Sequence, residues 1–379
     1  MFVTNWISTT KIQKISEITN FFRHYFLSRT EVVLAFRKYC PDHPLKMIAD
    51  NFFDETGSFK MNLMAEGSWA INSVSAIARP LQFLASHSEK AYRDMIINKV
   101  SAADKETFNL HNLISAFCEL SVMNTFICRS SDPKSFVYEN RVRDDSDKNV
   151  EFSIKMQDFT FNVEVKSANL VLEDQEIAKL LRENPSVLMI DARIPNYQEV
   201  VDKAQMPVRG SLDNKIKDFL VDANKKFSKS NGEKEVNLLV ICWDDRIHQA
   251  LMALKSPKAQ GLLTANTYRH DKQGNPELYP NIDCVVVNKT YSLFKEYILG
   301  TLFRNFSPIY PVDPFFMLFG EGCIVDHNLT QDRHLMLNSI MQQNLMIVDE
   351  TFADSLSPVS IATMSDVEPN TIKFRKYEM

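Results

Sequence analysis

Thr160-Phe161-Asn162-Val163-Glu164-Val165-Lys166 alternates polar and apolar side chains without a break. Successive side chains of a strand point to opposite faces, so Thr160, Asn162, Glu164 and Lys166 share one face. Phe159, Phe161, Val163 and Val165 share the other, which predicts packing against a helix. The polar face sets a carboxylate beside an ammonium. Charged side chains are seldom put on a central strand for packing alone.

The surrounding sequence extends this strand into a sheet. Glu151 to Met156 also alternates, with Phe152, Ile154 and Met156 on one face and Glu151, Ser153 and Lys155 on the other. A turn is expected near Gln157-Asp158, and Ser135 to Val142 reads as a further strand. The three predict an antiparallel meander. Before them, Ala102 to Cys128 predicts a helix with Leu110, Leu113, Ile114, Phe117, Leu120 and Met123 at helical spacing. Asn112, Ser115 and Glu119 form a narrow polar line on that apolar helix, three and four residues apart. Such a line can aim Glu119 into a site.

Downstream, helices over Leu172 to Arg182 and Tyr197 to Ala204, with a short strand over Ser186 to Ile190, suggest an insertion near 172–210. Asp213 to Ser228 is a helix with Ile216, Phe219, Leu220 and Ala223 along one stripe. Val236 to Trp243 and Ile282 to Val287 are continuous apolar runs of strand length, as expected for strands buried on both faces. Arg246 to Leu254 and Tyr291 to Phe303 read as helices. The order predicts an α/β fold with a mixed sheet flanked by helices.

Residues 1–100 read as a helical N-terminal accessory region, with helices over Lys11 to Phe26, Glu31 to Tyr39, Ser68 to Ala85 and Glu89 to Val100. That region carries no recognisable chemistry. Residues 101–305 form the α/β core, and 306–379 a C-terminal extension, Pro- and Phe-rich at first. The extension then becomes helical near His334 to Gln343, and irregular after Thr351.

Composition narrows the function. The 379 residues are 45% hydrophobic and 24% charged, ordinary for a soluble globular protein. A net charge of −5 argues against a histone-like protein but leaves room for a local basic surface. With 9 glycines there is no Gly-x-Gly-x-x-Gly and no Walker-type loop, which makes a glycine-rich nucleotide site improbable. The 6 cysteines include no Cys-x-x-Cys pair, so reduced buried thiols are the simplest reading. The N-terminal residues do not read as a signal peptide, and no apolar run is long enough for a membrane span. A cytoplasmic location is the default expectation.

Glu164 can bind a divalent cation, and Lys166 can orient water or stabilise charge developing on a phosphate. Glu151 opens the preceding strand on the nominal face of Ser153 and Lys155, where a hairpin would bring it towards Glu164. The helix, the three strands and Glu164-Val165-Lys166 on the third together resemble the PD-(D/E)xK nuclease superfamily over roughly residues 105 to 300. That resemblance implies a restriction-endonuclease-like fold and cleavage of a nucleic-acid backbone dependent on Mg²⁺, with Mn²⁺ as a substitute. It assigns Glu119, Glu151 and Glu164 to the metal and Lys166 to water. It further implies DNA before RNA as substrate, a homodimer or a partner protein of a multi-component system, and a setting in restriction or anti-phage defence. The family usually carries Asp in the first acidic position, often after Pro; here Glu151 follows Val150. The alternative is a nuclease-like scaffold without catalysis that binds nucleic acid or a partner.

Overall fold

The computed structural model describes residues 29–60, 68–101, 107–143, 147–169, 179, 188–189, 208–209, 213–229, 234–244, 246–301, 315–316, 323–341 and 345–356. The expected helix over Lys11 to Phe26 lies outside these residues, as do most of those over Leu172 to Arg182 and Tyr197 to Ala204.

The helical region contains α1 (Pro44–Phe52), α2 (Ser68–Ala85) and α3 (Glu89–Asp94), and α3 runs into a π-helical turn, Met95–Lys99. Then comes α4 (Leu110–Arg129), capped by the Asn109 side chain, which accepts from the Asn112 amide. This start is later than the sequence predicts because Asn109 is a good N-cap, with a side-chain oxygen that satisfies an orphan donor of the first turn. The meander follows as β1 (Val137–Tyr138), β2 (Phe152–Met156) and β3 (Phe159–Ser167). The turn between β2 and β3 falls at Gln157, which takes a left-handed φ of 52°. A small parallel pair, β4 (Leu188–Met189) and β5 (Val208–Arg209), stands apart from the main sheet. The chain continues as α5 (Asp213–Lys226), β6 (Glu235–Cys242), α6 (Ile247–Lys255), β7 (Cys284–Asn288) and α7 (Thr290–Thr301). It goes on through β8 (Cys323–Asp326), α8 (Gln331–Met341), β9 (Met346–Val348) and α9 (Glu350–Ser355).

The protein is α/β, built on a seven-stranded mixed sheet in the order β1-β2-β3-β6-β7-β8-β9. The meander is antiparallel, whereas β3, β6 and β7 run parallel. Phe152 pairs with Val163 and Ser153 with Asn162, so apolar and polar faces match across the hairpin. The C-terminal extension contributes β8 and β9, which widen the same sheet, β8 antiparallel to β7 and β9 parallel to β8. Strands of three and four residues show too little alternation to be read from sequence.

The two faces of β3 meet different helices. On one face, Phe126 of α4 packs against Phe152 and Phe161, with ring centroids 5.5 and 5.8 Å apart. The other face, carrying Asn162, Glu164 and Lys166, meets α5. It is buried as well: Asn162 and Glu164 are each 1% exposed, so the polar residues need partners. Asn162 receives a hydrogen bond from Ser153 Oγ (2.6 Å) and donates to Asn237 Oδ1 (2.9 Å). Asn237 in turn donates to the carbonyls of Ser228 and Asn281. Among the described residues, no helix is long and apolar enough to cross a membrane.

Candidate active site

Glu164 lies in the middle of β3, paired in register with Leu239 of β6, a strand buried at every residue but its first. Its Oε1 accepts from Lys166 Nζ at 2.9 Å and from Lys226 Nζ at 2.6 Å. Lys226 comes from the last turn of α5, and one turn earlier on that helix Asp222 takes Lys166 Nζ at 2.7 Å. Asp222 also accepts from Lys148, at 2.8 Å. Three ammoniums thus serve two carboxylates. Burial works against the Lys166 ammonium, but the charge of Glu164 and the hydrogen bond to Asp222 outweigh it and raise its pKa. Asp222 is held well below the usual carboxylate range: its burial is outweighed by hydrogen bonds from Lys148 and Lys166.

Glu119 and Glu151 form a second group. Lys99, the last residue of the π-helical turn, donates to Glu119 Oε2 at 2.6 Å and also binds Glu151 Oε1. Its ammonium stands 5.8 Å from the centre of the Tyr138 ring, whose hydroxyl donates to Asp94. Burial, followed by the charge of Glu151, pushes the Glu119 carboxyl up, against the pull of Lys99. Lys99 itself is raised, because the two carboxylates outweigh its burial.

All four residues singled out in the sequence are therefore ion-paired, but in two groups. Glu164 joins Lys166, and Glu119 joins Glu151. The three carboxylates do not form one cage: among the described residues no group of three or more His, Cys, Asp or Glu is arranged to hold a metal ion. The register explains the division. Glu151 stands one residue before the Phe152–Val163 pair, so a continued strand would set it opposite Glu164. It falls instead in a bend, and its side chain turns to Lys99.

One atom bears on whether these residues suit a divalent cation. Glu164 Oε2 is buried and has no hydrogen-bond partner. A desolvated carboxylate oxygen without a partner is costly, and a hard cation is a fitting partner for it. The residues fit such an ion at Glu164. At Glu119 and Glu151 the oxygens are equally hard, but Lys99 occupies them.

Sequence reasoning missed Lys99, Lys148, Asp222 and Lys226. Asp222 and Lys226 left a signal, since they are four residues apart on the polar side of an amphipathic helix. Lys99 left none, because its role depends on how the helical region docks. No family model, curated protein or solved structure matches the chain.

Proposed function

We propose that the chain is a metal-dependent nuclease that hydrolyses DNA phosphodiester bonds on a restriction-endonuclease-like core. The order of α4, β1, β2, β3, α5, β6, α6 and β7 supports this reading, as does the change from antiparallel to parallel pairing at β3. The observation that carries it is Glu164, 1% exposed, with one carboxylate oxygen open and Lys166 Nζ 2.9 Å from the other.

Glu164 would hold the ion; Glu151 and Glu119 would join it as further carboxylates only on leaving the Lys99 ammonium. A bound Mg²⁺ supplies Lewis-acid polarisation of a phosphoryl oxygen and acidifies water. The upward shift of Lys166 keeps it an ammonium at neutral pH, so it donates and does not act as a general base. An ammonium there stabilises negative charge as water attacks phosphorus and the bond to the leaving oxygen breaks. Asp222 and Lys226 position this pair: one holds the Lys166 ammonium, the other shares Glu164.

The test is incubation of plasmid, linear and single-stranded DNA, and of RNA, with Mg²⁺ or Mn²⁺. Wild type is compared with Glu164→Ala and Lys166→Ala. Cleavage of DNA by the wild type, reduced by about 10²-fold or more in both variants, is the expected result. Equal cleavage by all three proteins, or none by any, overturns the reading. A second reading, a nuclease-like scaffold that binds without cutting, is favoured by the ammonium partner that each of the site carboxylates already has. It predicts DNA retention without cleavage and no heat of Mg²⁺ binding.

A further inference from the structure

Lys99 belongs to neither the meander nor its flanking helices, yet it joins two residues that do. Its ammonium lies between Glu119 Oε2 on α4 and Glu151 Oε1 before β2. Glu119 is 19% and Glu151 11% exposed, so the two carboxyl groups meet in a poorly solvated place. Such a pair is relieved by a proton or by a cation between its oxygens. Here the chain supplies its own.

The delivery of Lys99 is built in. The π-helical turn is closed by the Val100 amide, which donates to the Met95 carbonyl at 2.7 Å, five residues back. Single π turns recur at functional sites because they reset the direction of the side chains that follow. Two residues of the preceding segment hold this turn from outside. Tyr39 donates its hydroxyl to the Ile96 carbonyl, and His43 Nε2 donates to the Val100 carbonyl at 3.1 Å. His43 Nδ1 accepts from the Leu45 amide, so the neutral ring serves both partners. The carbonyls of Ile96 and Val100, on either side of Lys99, are thus fixed.

We propose that Lys99 is the resting counter-ion of the Glu119–Glu151 pair and competes with a divalent cation for it. This rests on the nuclease reading for the identity of the competing ion. The carboxylate oxygens are hard donors of the kind Mg²⁺ and Mn²⁺ take. The Lys99 ammonium occupies one oxygen of each side chain. Withdrawal of Lys99 frees both side chains for a divalent ion. Lys99 is in these terms a positioning residue: it keeps two ligands in place and keeps the wrong partner out.

Calorimetric titration of the full chain with Mn²⁺ tests this, comparing wild type, Lys99→Met and Lys99→Arg. Lys99→Met keeps an unbranched side chain, one atom shorter and without the charge, and should bind Mn²⁺ at least about tenfold more tightly than wild type. Lys99→Arg keeps the charge and should behave as wild type. Adding Glu151→Gln to Lys99→Met should abolish the gain, which assigns the ion to this pair. No gain in Lys99→Met overturns the proposal, as does a gain that survives Glu151→Gln. Should Lys99→Met fail to fold, wild-type crystals grown with Mn²⁺ decide by anomalous scattering. Manganese between Glu119 and Glu151 with Lys99 displaced upholds the proposal; manganese bound elsewhere with Lys99 in place sinks it. The cleavage comparison at Glu164 remains separate: a gain in Mn²⁺ affinity without any cleavage keeps this proposal and removes the nuclease reading. Cleavage lost in Glu164→Ala without a gain in Lys99→Met does the reverse.

Discussion

The two carboxylate groups of the site solve one problem in opposite ways. Around Glu164 and Asp222 there are three ammoniums for two carboxylates. Around Lys99 there are two carboxylates for one ammonium. The first group sits at the centre of the fold, between β3 and α5. The second bridges α4, the start of β2 and the helical region. The ratio of ammonium to carboxyl groups is therefore inverted between the two, and the consequence of removing one member should differ accordingly.

The largest effect is expected at Glu164. Glu164→Gln leaves Lys166 and Lys226 close together with Asp222 as their remaining anion, itself 3.9 Å from Lys226. Removing one partner of a buried ion pair costs about 3–5 kcal/mol, because the charge left behind has lost its water. Urea unfolding should show a loss of that order. A loss below about 1 kcal/mol would mean that water reaches the two lysines freely, as it does in surface pairs.

Acid should strike the other side of the comparison. His43 is 1% exposed, and burial pushes its pKa down to about 4 from an ordinary value near 6.5. A folded pKa below the unfolded one gives stability that is fully present above pH 6.5. It is lost as pH falls through about 4, because the unfolded chain takes up the proton first. The shift corresponds to about 3 kcal/mol. His43 holds the carbonyl that follows Lys99, so this loss falls on the helical region and its tie to the sheet. His111, also lowered to about 4 by burial and by the charge of Lys215, contributes with the same sign. His43→Gln, whose amide can donate and accept in the same places, should remove part of the drop in stability between pH 7 and 5. An unchanged pH profile in that variant would locate the acid sensitivity elsewhere.

Much of this arrangement could be read before the fold was known, and the limit has a physical cause. The alternation in β3 and the helical spacing in α4 are local properties, fixed by the geometry of one element. They correctly put Glu164 beside Lys166 and set Ser115 and Glu119 on one line of α4. Ser115 does reach the sheet, with its hydroxyl 2.5 Å from that of Ser167. What local pattern cannot carry is the partner brought by another element. The alternation in β3 does not reveal that α5 covers its polar face and brings Asp222 and Lys226 to it. Likewise Glu151 and Glu164 share a nominal face, but a bend before Phe152 turns Glu151 to Lys99, fifty-two residues earlier in the chain.

A smaller effect should follow at Glu151. Glu151→Gln removes one of two carboxylates from Lys99, and Glu119 remains to hold the ammonium at 2.6 Å. The loss is a single charge-assisted hydrogen bond at a partly exposed site, about 1–2 kcal/mol. The contrast with Glu164→Gln is sharper than either value alone, since both changes turn a glutamate into its amide beside lysine. Equal losses at the two positions would show that the charge ratio within each group does not govern its stability.

The smallest effect is the control for burial. Asp158 and Lys234 also form an ion pair, with Nζ 2.9 Å from Oδ2, but they are 77% and 68% exposed. The carboxyl of Asp158 is lowered by its hydrogen bond from Lys234, so the contact is electrostatically favourable. In water such a contact replaces hydration of nearly equal worth, and salt screens what remains. Asp158→Asn should leave the urea midpoint unchanged within error at 0.15 M salt. The distance alone is the same as that between Lys166 and Glu164. If the variant nevertheless lost as much stability as Glu164→Gln, separation and not desolvation would set the strength of both pairs. The difference drawn between the buried group and this exposed pair would then fail.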